Sequence, residues 1–95
     1  MNNHIYQLDR TTIFKKDLKK AIKRGCNIEL LDFIVEKLLC GEPLPEKHKD
    51  HALTGNWKSH RECHITPDWL LVYRIIEDKL ILSLVRTGSH SDLDF

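Results

Sequence analysis

Apolar and polar positions along the chain change rhythm several times. His4 to Leu8 alternates apolar with polar residues, which predicts a short edge strand with Ile5 turned to the core. Phe14, Leu18, Ala21 and Ile22 then recur at helical spacing; Thr11 is placed to cap that helix and Gly25 to end it in the left-handed conformation. Asn27 caps a second predicted helix, whose stripe of Leu31, Ile34, Val35, Leu38 and Leu39 stops at Gly41 and Pro43. So short a link between the two implies a helix hairpin.

From Glu42 to Lys58, two prolines, Gly55 and many charges predict a loop. His60 to Ile65 reads as a strand, Thr66 to Asp68 as a turn, and Trp69 to Ile76 as an almost continuously apolar, buried strand. Glu77 and Asp78 turn the chain into a last strand, Lys79 to Arg86, and Thr87 to Phe95 forms a short tail. The order β-α-α-β-β-β predicts an α+β fold, with the helix hairpin on one face of a small, mainly antiparallel sheet.

Ninety-five residues suit one domain over residues 1–95. No apolar run approaches the ~18 residues of a membrane span, and Met1 to His4 lacks a signal peptide's apolar stretch. The expected setting is the cytoplasm, without membrane contact. Cys26, Cys40 and Cys63 fit neither a disulfide framework nor paired zinc motifs, and read as reduced structural thiols.

Charge sharpens the picture. The net charge is only +1, yet residues 1 to 24 carry seven Lys or Arg against Asp9 and Asp17. A basic N-terminal third can meet a polyanion even when the total is near zero. Lys15, Lys16, Lys19, Lys20, Lys23 and Arg24 form the outer face of the first helix, which serves either RNA docking or plain solvation.

Six histidines are the unusual feature of the composition, and His48, His51, His60 and His64 fall close together. Histidine exchanges protons near pH 7, although scattered loop histidines commonly have no task. A shared metal is disfavoured for His60 and His64, which a strand would set roughly 13 Å apart. His60-Arg61-Glu62 matches half of a zinc deaminase motif, but the P-C-x-x-C half is absent. Acid and base catalysis on RNA needs no metal and no activated Ser or Cys, because RNA carries its own 2′-hydroxyl nucleophile. His64, Asp68 and His90 fall at predicted strand ends, where small domains place their sites.

Three segments at these positions, Lys49 to Lys58 (KDHALTGNWK), Arg61 to Arg74 (RECHITPDWLLVYR) and Arg86 to His90 (RTGSH), resemble the YafQ branch of the RelE/ParE toxin superfamily. The resemblance covers most of the chain and implies a type II toxin that cleaves mRNA on the ribosome without metal or other cofactor. It implies His51, His64, Asp68 and His90 as active-site residues. It also implies a cognate DinJ/RelB-like antitoxin as partner, with the toxin–antitoxin complex binding operator DNA. Within that pattern Asp68 or a histidine accepts the 2′-hydroxyl proton, and His90 donates to the departing 5′-oxygen. Arg86 serves either as a phosphate clamp or in a structural ion pair.

Glu62 reads as a solvated strand residue, with orientation of a histidine as the alternative, and Trp57, Trp69 and Tyr73 read as packing. The pattern's terminal aromatic falls four residues after its histidine; here Phe95 comes five after His90, beside Asp94, whose negative charge opposes a phosphate, so Phe95 either stacks on a base or has no site role. Two other readings fit the same fold: a ParE-like toxin that binds DNA gyrase without cutting RNA, and an inactive module that binds antitoxin and aids repression.

Overall fold

A pair of capped helices lies on one face of a five-stranded sheet in the computed structural model, which describes residues 3–93. In chain order the elements are β1 (Gln7–Arg10), α1 (Thr12–Lys23), α2 (Ile28–Leu39), β2 (His51–Ala52), β3 (Arg61–Thr66), β4 (Trp69–Ile76), β5 (Ile81–Gly88) and α3 (His90–Leu93). The sheet order is β1-β5-β4-β3-β2; β1 runs parallel to β5 and the other pairings are antiparallel.

The helices begin where their caps predict. Thr11 accepts from the Phe14 amide at 3.0 Å and donates its hydroxyl to the Val85 carbonyl at 2.8 Å, tying the start of α1 to β5. Asn27 accepts from the Glu29 amide at 3.1 Å, and Gly25 ends the first helix at φ +82°. Phe14, Ala21, Leu31, Ile34, Leu38 and Leu39 bury against Cys63, Ile65, Leu71, Tyr73, Leu82 and Leu84 of the sheet. The other sheet face carries Leu70 and Val72, covered by Leu53, Trp57, Val85 and Leu93. Covering on both faces explains why β4 is continuously apolar. Trp69 and Tyr73 are core residues, as expected.

Several expectations need correction. Ile22 is 55% exposed; at roughly 100° per residue it sits about 80° around the helix from Phe14, off the buried stripe. Ile5 is also exposed, because the amides of Ile5 and Tyr6 both donate to the Leu39 carbonyl and it is Tyr6 that packs on the core. The predicted loop contains β2, whose two residues are too few to show an alternation. The predicted tail turns into α3, and the last strand starts late because Glu77–Lys79 forms a 3₁₀ turn and Leu80 adopts φ +51°.

Asp17 is the acid that interrupts the basic face in the sequence, but it points inward. Its carboxylate accepts from Arg86 Nε at 2.8 Å, Arg86 Nη2 at 3.1 Å and the Thr87 amide at 3.1 Å. Asp17→Ala therefore strands a half-buried guanidinium, and the expected loss is about 3 kcal/mol in urea unfolding. A loss below about 0.5 kcal/mol, the scale of an ordinary surface substitution, would contradict this role.

Candidate active site

Strand periodicity divides β3 between two jobs. Cys63 and Ile65 enter the core under the helices, so Glu62 and His64 project from the opposite sheet face. Strand β2 sets His51 directly opposite Glu62. One Glu62 oxygen, Oε1, lies 3.7 Å from His51 Nε2 and 3.8 Å from His64 Nε2. Glu62 is only 6% exposed, so it is not the solvated strand residue expected from the sequence. A buried carboxylate is costly without partners, and these two imidazoles are the partners at hand. Its even spacing from His64 was the sequence signal that could have revealed it.

The turn between β3 and β4 brings in Asp68, and the end of β5 brings in His90. Asp68 Oδ1 accepts from His90 Nδ1 at 2.7 Å and from the His90 amide at 3.3 Å. This pairing fixes the His90 tautomer and leaves Nε2 as the ring's outward nitrogen. It also holds the Asp68 carboxyl below its ordinary range, chiefly through the His90 side-chain bond. The His90 ring meets the His64 ring edge-on, with centroids 5.6 Å apart. His51, Glu62, His64, His90 and Asp68 thus form one continuous arc.

His51 and His64 are held from behind. Asp50 accepts from Tyr73 Oη at 2.6 Å and pairs with Arg61, pinning the segment that carries His51. His51 Nδ1 donates to the Lys49 carbonyl at 2.7 Å, which turns Nε2 toward Glu62. Buried His48 donates from Nδ1 to the His64 carbonyl at 2.7 Å, so it supports the backbone of β3 from the core side.

His90 owes its position to Asp92. Ser89 Oγ accepts from the Asp92 amide at 3.1 Å, while Asp92 Oδ2 accepts from the Ser89 amide at 2.9 Å, a reciprocal cap on α3. Arg24 donates from Nη2 to the same carboxylate at 3.2 Å, anchoring it to the end of α1. A Cβ at Gly88 would stand 2.9 Å from Asp92 Cβ, so this close approach needs glycine. Asp92 did not stand out in the sequence, and Arg24 was read only as part of the basic helix face, because a tail aspartate and a helix-end arginine look like ordinary surface charges.

The other expected residues among those described make other contacts or face solvent. Arg86 is engaged by Asp17, the ion-pair alternative of the sequence reading. Lys15, Lys16, Lys19, Lys20 and Lys23 are all exposed on α1, while Arg24 is committed to Asp92. Phe95 and Asp94 lie outside the described residues. The arc holds proton donors and acceptors at several spacings, and no serine or cysteine is part of it.

Residues 6–94 match the family model for YafQ, the bacterial toxin of type II toxin–antitoxin systems. The chain is 42% identical over 81 residues to the mRNA interferase toxin YafQ of Escherichia coli, spanning 84% of this chain and 86% of that one. It superposes on a chain of the E. coli DinJ–YafQ toxin–antitoxin complex with a TM-score of 0.85 at 34% identity, covering 94% of this chain and 97% of that one. A metal-bound toxin from Helicobacter pylori gives a TM-score of 0.88 at 45% identity, with 93% and 98% covered.

Removing the cap tests what positions His90. Asp92→Ala should cost about 1 kcal/mol of stability and speed hydrogen exchange at the Ser89 and His90 amides. Arg24 first, and then the Ser89 amide, hold the Asp92 carboxyl well below the ordinary range. Its contribution is therefore present above about pH 4 and fades as pH falls through the lowered folded value. Unchanged exchange at both amides would show that something else holds His90.

Proposed function

The chain belongs to the YafQ family of bacterial type II toxins and is an mRNA interferase, and we propose that it cuts at the His51, Glu62, His64, Asp68, His90 arc without metal. The observation that carries this reading is the edge contact of His64 with His90, whose Nδ1 is anchored by Asp68. Two imidazoles at this spacing can reach one scissile phosphate from two sides.

His64 takes the proton from the 2′-hydroxyl as the 2′-oxygen attacks phosphorus. His90 gives a proton from Nε2 to the 5′-oxygen as its bond to phosphorus breaks. The products are a 2′,3′-cyclic phosphate and a 5′-hydroxyl. Asp68 is the weaker candidate for base, because its carboxyl is held below the ordinary range and its Oδ1 is already used by His90. It orients His90 instead. His51 approaches the phosphate as a positive group, and Glu62 keeps it and His64 in register.

The exposed lysines of α1, free of interspersed acid once Asp17 turns inward, dock ribosomal RNA beside the message. Phe95 stacks on a base near the cut. The partner is a cognate antitoxin, in the manner of DinJ with YafQ in E. coli. Their complex binds operator DNA. No helix among the described residues is long and apolar enough to cross a membrane, in keeping with action in the cytoplasm.

Inducing the protein without its antitoxin should arrest growth and leave cuts within translated messages. His90→Ala should lower cleavage by about 10²-fold or more. Because a relative has been solved with metal, cleavage by the purified protein should also be measured with a chelator, and should be unaffected. Intact transcripts with inhibited DNA supercoiling, or full activity in His90→Ala, would overturn the proposal.

A further inference from the structure

The N-terminal segment and the end of α2 bring three metal-ligating side chains together away from the catalytic arc. We propose that His4, Glu36 and Cys40 form a second site, for a borderline-soft divalent transition-metal ion of the zinc class. Their ligand atoms all lie within 4.8 Å of one another. His4 Nε2 is 2.7 Å from Glu36 Oε2, and Cys40 Sγ is 3.5 Å from the same oxygen.

The backbone assembles this trio without any ion. Glu36 and Cys40 are four residues apart at the end of α2 and so share one helix face. His4 is delivered because the next two amides, Ile5 and Tyr6, both donate to the Leu39 carbonyl at 2.8 and 3.2 Å. Metal–ligand bonds of about 2.0–2.3 Å require only that the His4–Glu36 contact open slightly and Cys40 close in.

The donor set decides the class of ion. Imidazole, thiolate and carboxylate suit zinc or cobalt(II); magnesium and calcium prefer oxygen alone. A groove of about 350 Å³ beside the trio, lined in part by Asn3, Phe33 and Glu42, leaves room for water as a fourth ligand. Lys37, the nearby cation, is already paired with Glu42 at 3.0 Å. Binding exchanges the Cys40 S–H bond for a sulfur–metal bond and releases the proton to solvent. Because residues 4 and 36–40 are brought together only by folding, a bound ion staples the N-terminal segment to α2 and stabilises the folded chain.

The test uses the untagged full-length protein with Co²⁺ as spectroscopic probe and Zn²⁺ as competitor. One equivalent of Co²⁺ should give a sulfur-to-cobalt charge-transfer band, displaced by Zn²⁺. The catalytic arc has no sulfur ligand, so the band distinguishes the two sites. Cys40→Ser should abolish it and Cys26→Ser should retain it. His4→Ala should weaken binding by more than the roughly 10- to 100-fold that loss of an outer-shell partner costs. Zn²⁺ should raise the Tm of the wild type but not that of Cys40→Ser, with both folded before metal is added. Absence of the band, its survival in Cys40→Ser, or metal uptake lost only in His64→Ala would overturn the proposal.

Discussion

The two-residue period of β3 sets the terms for the rest of the molecule. Burying Cys63 and Ile65 under the helices leaves Glu62 and His64 no choice but the other face. A one-residue slip would exchange core for site. The pairing of β2 with β3 then decides that His51 stands opposite Glu62, and the β3–β4 turn decides where Asp68 falls. The site is thus the reverse side of the core, and the packing that stabilises one fixes the other.

Two aspartates extend that control to the elements outside the sheet. Asp17 binds α1 to the end of β5 through Arg86 and the Thr87 amide. Asp92 binds α3 back to α1 through Arg24 and caps the turn that carries His90. Each carboxylate satisfies a backbone amide as well as a guanidinium, so neither ion pair is a simple surface contact. His90 is therefore positioned by α1 as much as by β5, so the basic helix also supports the histidine proposed as general acid.

Much of the fold could be read from residue pattern alone. Thr11, Asn27 and Gly25 mark helix ends by local chemistry, and the apolar run from Trp69 to Ile76 marks a strand buried on both faces. Features that depend on tertiary pairing could not be read this way. Strand β2 exists only because β3 offers it an edge, and the exposed Ile5 reflects where the Leu39 carbonyl holds the backbone. Among the candidate residues, His51, His64, Asp68 and His90 were singled out through motif resemblance, and the structure brings them into one arc. Asp92 was passed over, and Glu62 and Arg24 were read mainly as solvated charges, because a charge looks solvated until its partners are known.

In the proposed reaction the protein supplies proton transfer and positive charge while RNA supplies the nucleophile. The chemistry of the cut ends tests it most directly. A message cleaved by the wild-type protein should carry a 5′-hydroxyl on the downstream fragment and a 2′,3′-cyclic phosphate, or its hydrolysed form, upstream. A 2′-deoxy substitution at the cut position should leave the message whole. A 5′-phosphate on the downstream fragment, or cleavage of the 2′-deoxy message, would contradict the account.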